Sequence, residues 1–233
     1  MKQDDAQAMA ERYARRAGMA DRYSPLQPDV WQTLQERQRV WLAWLQDVAP
    51  LSERRLTELG CGAGGNLLEL LQLGFDPKNL QGLELLPDRF ATARQRLPQA
   101  LALHLGDAGE APIEPESQDL VLVSTVFSSV LEDAQQERLA SALWRWLKPG
   151  GALLWYDFTV NNPRNPDVRG VPLQRLLHLF PTATIRHRRR ITLAPPLARP
   201  LCRIHPGLYP VANALPFLRT HLAAWLEKKP SSP

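Results

Sequence analysis

The 233-residue chain is poor in cysteine and has no long apolar segment. Proline, arginine or histidine interrupts every apolar run well before the roughly 18 residues that a membrane-spanning helix requires. The first residues lack the apolar core of a secretory signal. Only Cys61 and Cys202 are present, which excludes a disulfide framework. We therefore expect a reduced, cytoplasmic protein.

The chain also lacks the ligand spacing that marks a metal site. Its five histidines and two cysteines are scattered, whereas zinc ligands usually recur at short intervals. No base stands beside Cys61 in the sequence, and activation of a thiolate requires such a partner. The sequence therefore predicts neither a metal nor a cysteine nucleophile.

Acidic residues are scarce in the last third of the chain. Residues 151–233 carry 12 Lys and Arg against 3 Asp and Glu, whereas residues 1–150 carry 16 against 21. A basic surface of this kind can face an anionic substrate, a nucleic acid or an anionic lipid, or it can simply be solvated. Composition alone leaves these alternatives open.

Short apolar strands alternate with amphipathic helices from residue 54 onward. Strands are predicted at "RRLTELG", "NLQGLELL", "LALHLGDA", "DLVLVSTVF" and "GALLWYDFT", with helical segments between them. Such alternation indicates βαβ units and a doubly wound, mostly parallel sheet of the α/β class. The segment "TATIRHRRRITLAP" also reads as a strand, and "RTHLAAWLEKK" fits either a strand or a helix.

The stretch "TELGCGAGGN" follows the first strand and fits two glycine patterns. Gly60, Gly62 and Gly65 spell the dinucleotide pattern G-x-G-x-x-G, whereas Gly60, Gly62 and Gly64 spell G-x-G-x-G. Glu58 favours the second pattern, because a carboxylate there can hold the ammonium of an amino-acid ligand. A dinucleotide has no such group.

Two more carboxylates lie at the ends of predicted strands or just after them. Glu84 ends the second strand, where it can accept hydrogen bonds from both hydroxyls of a ribose. Asp107, in "GDA" after the third strand, is placed to accept from an adenine amino group. Together with Glu58 these residues point to a nucleoside ligand that also carries an amino-acid part.

The order and spacing of their motifs make residues 54–160 resemble the class I S-adenosylmethionine-dependent methyltransferases. The resemblance rests on "LTELGCGAGG", "GLELL", "GDA", "DLVLVSTVFSSVLED" and "WLKPGGALLWYDF". It implies a Rossmann-like sheet of seven strands in the order 3-2-1-4-5-7-6, with S-adenosylmethionine as cofactor and S-adenosylhomocysteine as product. The cofactor-binding residues implied by the resemblance are Glu58, Gly60, Cys61, Gly62, Gly64, Asn66, Glu84, Leu85, Asp107, Ala108, Ser124 and Phe127.

The resemblance also suggests a role for the N-terminal residues. Residues 1–17 and 29–48 read as helices, and the second has apolar residues on one face. We expect residues 1–50 to form a helical lid over a Rossmann-like domain of residues 51–233, the two making one globular unit. Tyr13 would then contact the substrate.

The polar loop after the fifth strand is the candidate acceptor site, because binding residues gather in such loops. Asn162, Asn165 and Arg169 are the candidate substrate contacts. A hydroxyl acceptor benefits from a general base, for which Asp157 is the first candidate and His178 the second. The stretches "YDF…NNPRNPDVRGV" and "RYARR…DRYSPL" look like a bacterial subgroup of these methyltransferases that is associated with polysaccharide or specialised-metabolite biosynthesis. We therefore expect O-methylation of a small molecule or glycan.

The sequence also bears on other classes of acceptor. The chain lacks the Asn/Asp-Pro-Pro-Tyr motif of methyltransferases that act on base amino groups, which counts against a nucleic-acid acceptor. The run "RHRRR" is interpreted as a charged edge strand. The basic, apolar residues 195–226 suggest an alternative, a lipid or lipid-linked acceptor and a peripheral place at the inner membrane surface. A non-catalytic cofactor-binding module is a further alternative, and the sequence specifies no oligomeric state.

Overall fold

A computed structural model describes residues 24–161 and 165–230, which fold around one seven-stranded sheet. The strands are β1 (Leu56–Leu59), β2 (Leu80–Glu84), β3 (Ala102–Leu105), β4 (Gln118–Ser124), β5 (Leu147–Phe158), β6 (Thr184–Leu193) and β7 (Arg219–Glu227). The helices are α1 (Pro28–Leu45), α2 (Gly65–Gln72), α3 (Pro87–Arg96), α4 (Asp133–Trp146), α5 (Leu173–Leu179), α6 (Pro195–Ile204) and α7 (Leu208–Asn213). The strand order β3-β2-β1-β4-β5-β7-β6 confirms the predicted fold.

The sheet is parallel from β3 to β5 and antiparallel around β7. The segment that sequence periodicity left open is strand β7, and its residues 221–226 are all buried. Its side chains enter the cores on both faces of the sheet, Leu222 and Ala224 on one face and Ala223 on the other. The apolar run is therefore continuous and lacks the alternation of a half-exposed strand.

Helices cover both faces of the sheet, and side chains alternate between the two cores. In β4, Val121 and Val123 pack on the face covered by α4 and α5, around Trp155. Leu120 and Leu122 point to the other face, which α1, α2 and α3 cover. This period of two is the geometry of an extended strand.

Helix α1 is fixed to the far end of the sheet by the buried carboxylate of Glu36. This carboxylate accepts hydrogen bonds from Thr192 N at 2.9 Å, Tyr209 Oη at 3.0 Å and Asn213 Nδ2 at 2.6 Å. A buried charge is costly unless it is satisfied in this way. The helix is thereby fastened to β6 and α7. The remainder of the predicted lid, residues 1–23, lies outside the described residues.

The long connection between β6 and β7 lies at the edge of the sheet where β1 to β5 end. Strand β7 runs antiparallel to both β5 and β6, so these two strands point the same way. Helices α6 and α7, which connect the end of β6 to the start of β7, therefore share an edge with the carboxyl ends of the parallel strands. Within residues 24–161 and 165–230, no helix is both long and apolar enough to cross a bilayer.

Candidate cofactor-binding site

The turn after β1 has the backbone conformation that only glycine adopts easily. Gly60, Gly62 and Gly64 have φ values of +67°, +57° and +81°. A Cβ at Gly60 would lie 2.7 Å from Val126 Cγ2, whereas a Cβ at Gly65 would meet nothing within 4 Å. Gly65 is the first residue of α2 and has no positive φ. The geometry therefore requires the G-x-G-x-G pattern and not the dinucleotide pattern.

The carboxylate of Glu58 is fully buried at the end of β1, close to this turn. Its Oε1 accepts a hydrogen bond from Asn66 Nδ2 at 2.5 Å. Its Oε2 is buried with no hydrogen-bond partner among the residues described. Burial raises the pKa of Glu58 to about 8, against the opposing effects of Asn66 and the Arg37 charge. A buried carboxylate oxygen left unpaired fits a ligand that brings a cation or a hydrogen-bond donor.

Arg37 of α1 orients this carboxylate through Asn66. Its Nη2 donates to Asn66 Oδ1 at 2.6 Å and to Glu69 Oε1 at 3.3 Å, and its Nη1 donates to Ser124 Oγ at 3.3 Å. Because Asn66 receives a hydrogen bond at its oxygen and donates one from its nitrogen, its amide orientation is defined. The guanidinium therefore links α1 to α2 and to the end of β4.

Sequence reasoning did not identify Arg37, although the pattern of α1 contains a signal. Arg37 lies four residues before Trp41 and eight before Leu45, and all three are buried. Positions with this spacing share one face of a helix. A charged residue in the middle of an apolar face must have a buried partner, so it indicates a site.

Glu84, at the end of β2, stabilises the glycine turn through hydrogen bonds. Its Oε2 accepts from Gly62 N at 2.8 Å and its Oε1 from Leu86 N at 2.9 Å. Each carboxylate oxygen keeps a second lone pair that a ligand hydroxyl can use. Glu84 and the neighbouring Leu85 both line the cavity described below.

Asp107 follows β3 and is held from two sides. Its Oδ1 accepts from Gly109 N at 2.9 Å, and its Oδ2 accepts from Arg138 Nη2 at 3.0 Å. These bonds fix the carboxylate beside the buried Ala108. Arg138, on α4, was not identified from the sequence, because its partner is distant along the chain.

One cavity lies at the carboxyl ends of β1, β2 and β4, and Glu58, Gly62, Gly64 and Asn66 are not among the residues that line it. The predicted residues that line it are Gly60, Glu84, Leu85, Asp107, Ala108 and Ser124. The cavity also contains Thr125, which has a positive φ of 56°. Backbone strain in a residue that is not glycine is often found at functional sites. The cavity therefore matches the carboxyl-edge crevice in which open α/β sheets bind ligands.

The side chains of Cys61 and Phe127 do not line this cavity. Cys61 is buried behind the turn, its N donates to Leu83 O at 2.9 Å, and burial raises the pKa of its thiol. Phe127 is fully buried and packs on Trp155 with the ring centroids 4.9 Å apart. Both residues fill the core next to the site, and their predicted cofactor contacts stay predictions.

The two candidate catalytic residues are also not brought to the cavity. Asp157 is fully buried at the end of β5, where Oδ2 accepts from Ser128 N at 3.0 Å and Oδ1 from Phe158 N at 2.8 Å. Burial raises the pKa of Asp157 to about 6. His178 is exposed on α5, with its Nε2 3.6 Å from Glu137 Oε1.

The candidate substrate residues that the structure describes are bonded to other residues of the protein. Arg169 forms an ion pair with Asp133 at the start of α4. Asn165 Oδ1 accepts from Asp167 N at 3.1 Å, as in a turn. Asn162 and Tyr13 lie outside the described residues. No group of three or more His, Cys, Asp or Glu side chains in residues 24–161 and 165–230 is arranged to hold a metal.

Comparison with known families bears directly on this site. Residues 57–155, which include the glycine turn, Glu84, Asp107 and Ser124, match the family model of a methyltransferase domain. The matched range begins inside β1 and ends inside β5, so it spans most of the parallel half of the sheet.

Two curated relatives differ in what their names say they methylate. The tRNA N(3)-methylcytidine methyltransferase of Drosophila melanogaster is 30% identical over 120 residues, which are 48% of this chain and 37% of that protein. A trans-aconitate 2-methyltransferase of Variovorax paradoxus is 33% identical over 129 residues, 55% of this chain and 45% of that protein. The match therefore spans less than half the length of either relative.

The fold is shared with solved structures of low sequence identity. A putative sarcosine dimethylglycine methyltransferase from Galdieria sulphuraria superposes with a TM-score of 0.64 at 14% identity. The alignment covers 86% of this chain and 88% of that one. The agreement in fold therefore extends beyond residues 57–155 to most of the chain.

Proposed function

We propose that the protein transfers a methyl group from S-adenosylmethionine. The observation that carries the proposal is the buried, unpaired Oε2 of Glu58 close to the glycine turn. The methionine part of this cofactor has an ammonium group that can pair with that oxygen. Glu84 would accept from the ribose hydroxyls, and Asp107 with Ala108 would bind the adenine.

The chain's own residues supply position and charge. Arg37 and Asn66 hold the carboxylate of Glu58 in one orientation, and Glu84 holds the turn through Gly62 N. The cofactor, when bound, supplies the activated methyl group for an in-line displacement. Catalysis then depends mainly on alignment of donor and acceptor.

For the acceptor, we propose a polar, hydroxyl-bearing small molecule or glycan that is methylated on oxygen. Three hydroxyl side chains, those of Ser124, Thr125 and Ser129, line the cavity where β4 ends. Asp157 supports this region by binding Ser128 N, so its role on the acceptor side is one of positioning. Its action as a general base, and that of His178, stay predictions.

The cofactor assignment is tested by calorimetry with S-adenosylhomocysteine and, separately, with NADH. We expect the first to bind and the second to show no heat of binding. Binding of NADH without binding of S-adenosylhomocysteine would refute the proposal.

The acceptor is tested by transfer of labelled methyl groups to fractionated glycans, small metabolites, lipids and tRNA. Label in the glycan or small-metabolite fraction is the expected result. Label confined to tRNA would replace the proposed acceptor with a nucleic acid. In the productive fraction, Asp157→Asn should lower turnover and leave the affinity for S-adenosylhomocysteine unchanged.

A further inference from the structure

The connection between β6 and β7, which contains α6 and α7, exposes a group of large apolar side chains. Ile204 is 76% exposed, Val211 69%, Leu215 46% and Phe217 73%. All four lie within residues 204–217, which we call the 204–217 surface. Single exposed apolar residues are common, but several within one short segment usually mark a contact site.

These exposed side chains are not needed to hold the segment in place. The inner face of α6 and α7 is anchored by Ala198, Cys202 and Tyr209, which form a small core with Leu193 of β6. The Tyr209 hydroxyl also donates to the carboxylate of Glu36 at 3.0 Å. The segment therefore has an inner face packed against the rest of the fold and an apolar outer face that contacts no core cluster.

The segment around this surface is basic in sequence, but Arg169, Arg175, Arg186 and Arg199 form ion pairs with acidic residues from elsewhere in the fold. Residues 168–226 contain nine arginines and neither aspartate nor glutamate. Arg203 is exposed next to Ile204 and forms no ion pair with any residue that the structure describes. Exposed apolar side chains beside an exposed arginine of this kind are complementary to an anionic lipid surface.

The position of this surface in the fold relates it to the cofactor cavity. The connection from β6 to β7 lies at the carboxyl edge of the sheet, where the cavity also opens. Helix α6 contacts α1 through Arg199 and Asp29, whose Nε and Oδ2 are 3.7 Å apart. A surface bound by residues 204–217 would therefore lie on the side of the molecule from which an acceptor arrives.

We infer that residues 204–217 dock on an anionic lipid membrane. The side chains of Ile204, Val211 and Phe217 enter the boundary between headgroups and acyl chains, and Arg203 meets lipid phosphates. A nucleic acid fits less well, because the aliphatic side chains gain nothing from a phosphate backbone. The inference concerns attachment alone and does not depend on which atom the enzyme methylates.

The test is flotation of the intact protein with vesicles at low salt. Vesicles containing phosphatidylglycerol should carry the protein to the top of the gradient, and pure phosphatidylcholine vesicles should carry much less. The combined variant Ile204→Ser, Val211→Ser, Phe217→Ser should lower the vesicle affinity by about tenfold or more. The control is Leu177→Ser, an apolar-to-serine change at a residue of α5 that is 40% exposed. This variant should bind the vesicles as the wild type does.

The electrostatic part is tested with Arg203→Glu, which should weaken binding to the anionic vesicles by about tenfold. Arg145→Glu, at an exposed arginine of α4, is its control. Calorimetry with S-adenosylhomocysteine and a melting curve check that each variant is folded. Absence of flotation by the wild type overturns the inference, as does equal flotation of the serine variant. Binding of tRNA that persists in the serine variant, without vesicle binding, would assign the basic surface to nucleic acid instead.

Discussion

Glu58 leads to a prediction about how cofactor affinity changes with pH. In the ligand-free protein, burial raises the pKa of this carboxyl group to about 8. An ammonium placed at Oε2 favours the ionised carboxylate, so the pKa of Glu58 falls when the ligand binds. Binding therefore releases a proton from Glu58, and affinity for S-adenosylhomocysteine increases as pH rises toward 8.

The size of the effect follows from the fraction of ionised Glu58. With a pKa near 8, about one molecule in a hundred is ionised at pH 6 and about half are ionised at pH 8. The affinity should therefore increase about fiftyfold between these two pH values. At pH 7 about 0.9 proton should be released for each ligand bound.

The stability of the ligand-free protein should change with pH in the opposite sense to the ligand affinity. A raised carboxyl pKa means that the folded state binds more protons than the unfolded chain, so stability decreases as pH rises from about 4.5 to 8.

The assay is calorimetry with S-adenosylhomocysteine at several pH values, in pairs of buffers with different ionisation enthalpies. The control variant is Glu58→Gln, whose amide oxygen can still accept from Asn66 and which cannot titrate. Its affinity should be weaker and independent of pH. An affinity of the wild type that does not change between pH 6 and 8, or an identical pH dependence in Glu58→Gln, would refute the reasoning.

Three further changes test the rest of the site. Glu84→Ala should weaken S-adenosylhomocysteine binding by about 1–3 kcal/mol in calorimetry, because it leaves Gly62 N and the ligand hydroxyls without an acceptor. Arg37→Met should lower the same affinity about tenfold or more, because Glu58 loses its nearby cation and its orienting partner; Arg37→Lys should restore part of it, and equal losses in both variants would contradict an electrostatic role. Gly64→Ala should lower the free energy of unfolding by about 1–3 kcal/mol in denaturant titrations, because φ is positive there. Gly65→Ala, at the open first position of α2, is the control and should not destabilise the protein.

The parallel half of the sheet and the ligand end of each strand were predictable from the sequence. Gly60 and Asp107 lie just after strands and Glu84 ends one, and the carboxyl ends of neighbouring parallel strands meet at one edge. Their proximity therefore follows from topology once the strands are recognised. Strand β7 was ambiguous because both of its faces are buried, which removes the alternation that separates a strand from a short buried helix.

The acceptor side was less predictable because side-chain direction is not encoded locally. Asp157 ends β5 as expected, but backbone N–H groups of Ser128 and Phe158 occupy its carboxylate. His178 lies on the helix predicted after the loop and points to Glu137 and solvent. A sequence locates such residues along the chain, whereas their partners come from turns and helices that pack against them only in the folded protein.

Helix α1 connects the two parts of the molecule that carry the proposals. Glu36 and Arg37 are adjacent in sequence but bind in different directions, Glu36 to β6 and α7, and Arg37 to α2 and the end of β4. A shift of α1 would therefore disturb both networks at once. Since α7 belongs to the 204–217 surface and α2 carries Asn66, the partner of Glu58, this one helix forms a continuous contact path from that surface to the methionine end of the proposed cofactor site. An apolar residue in place of Arg37 could still pack α1 against the core, but it would not orient Glu58 through Asn66.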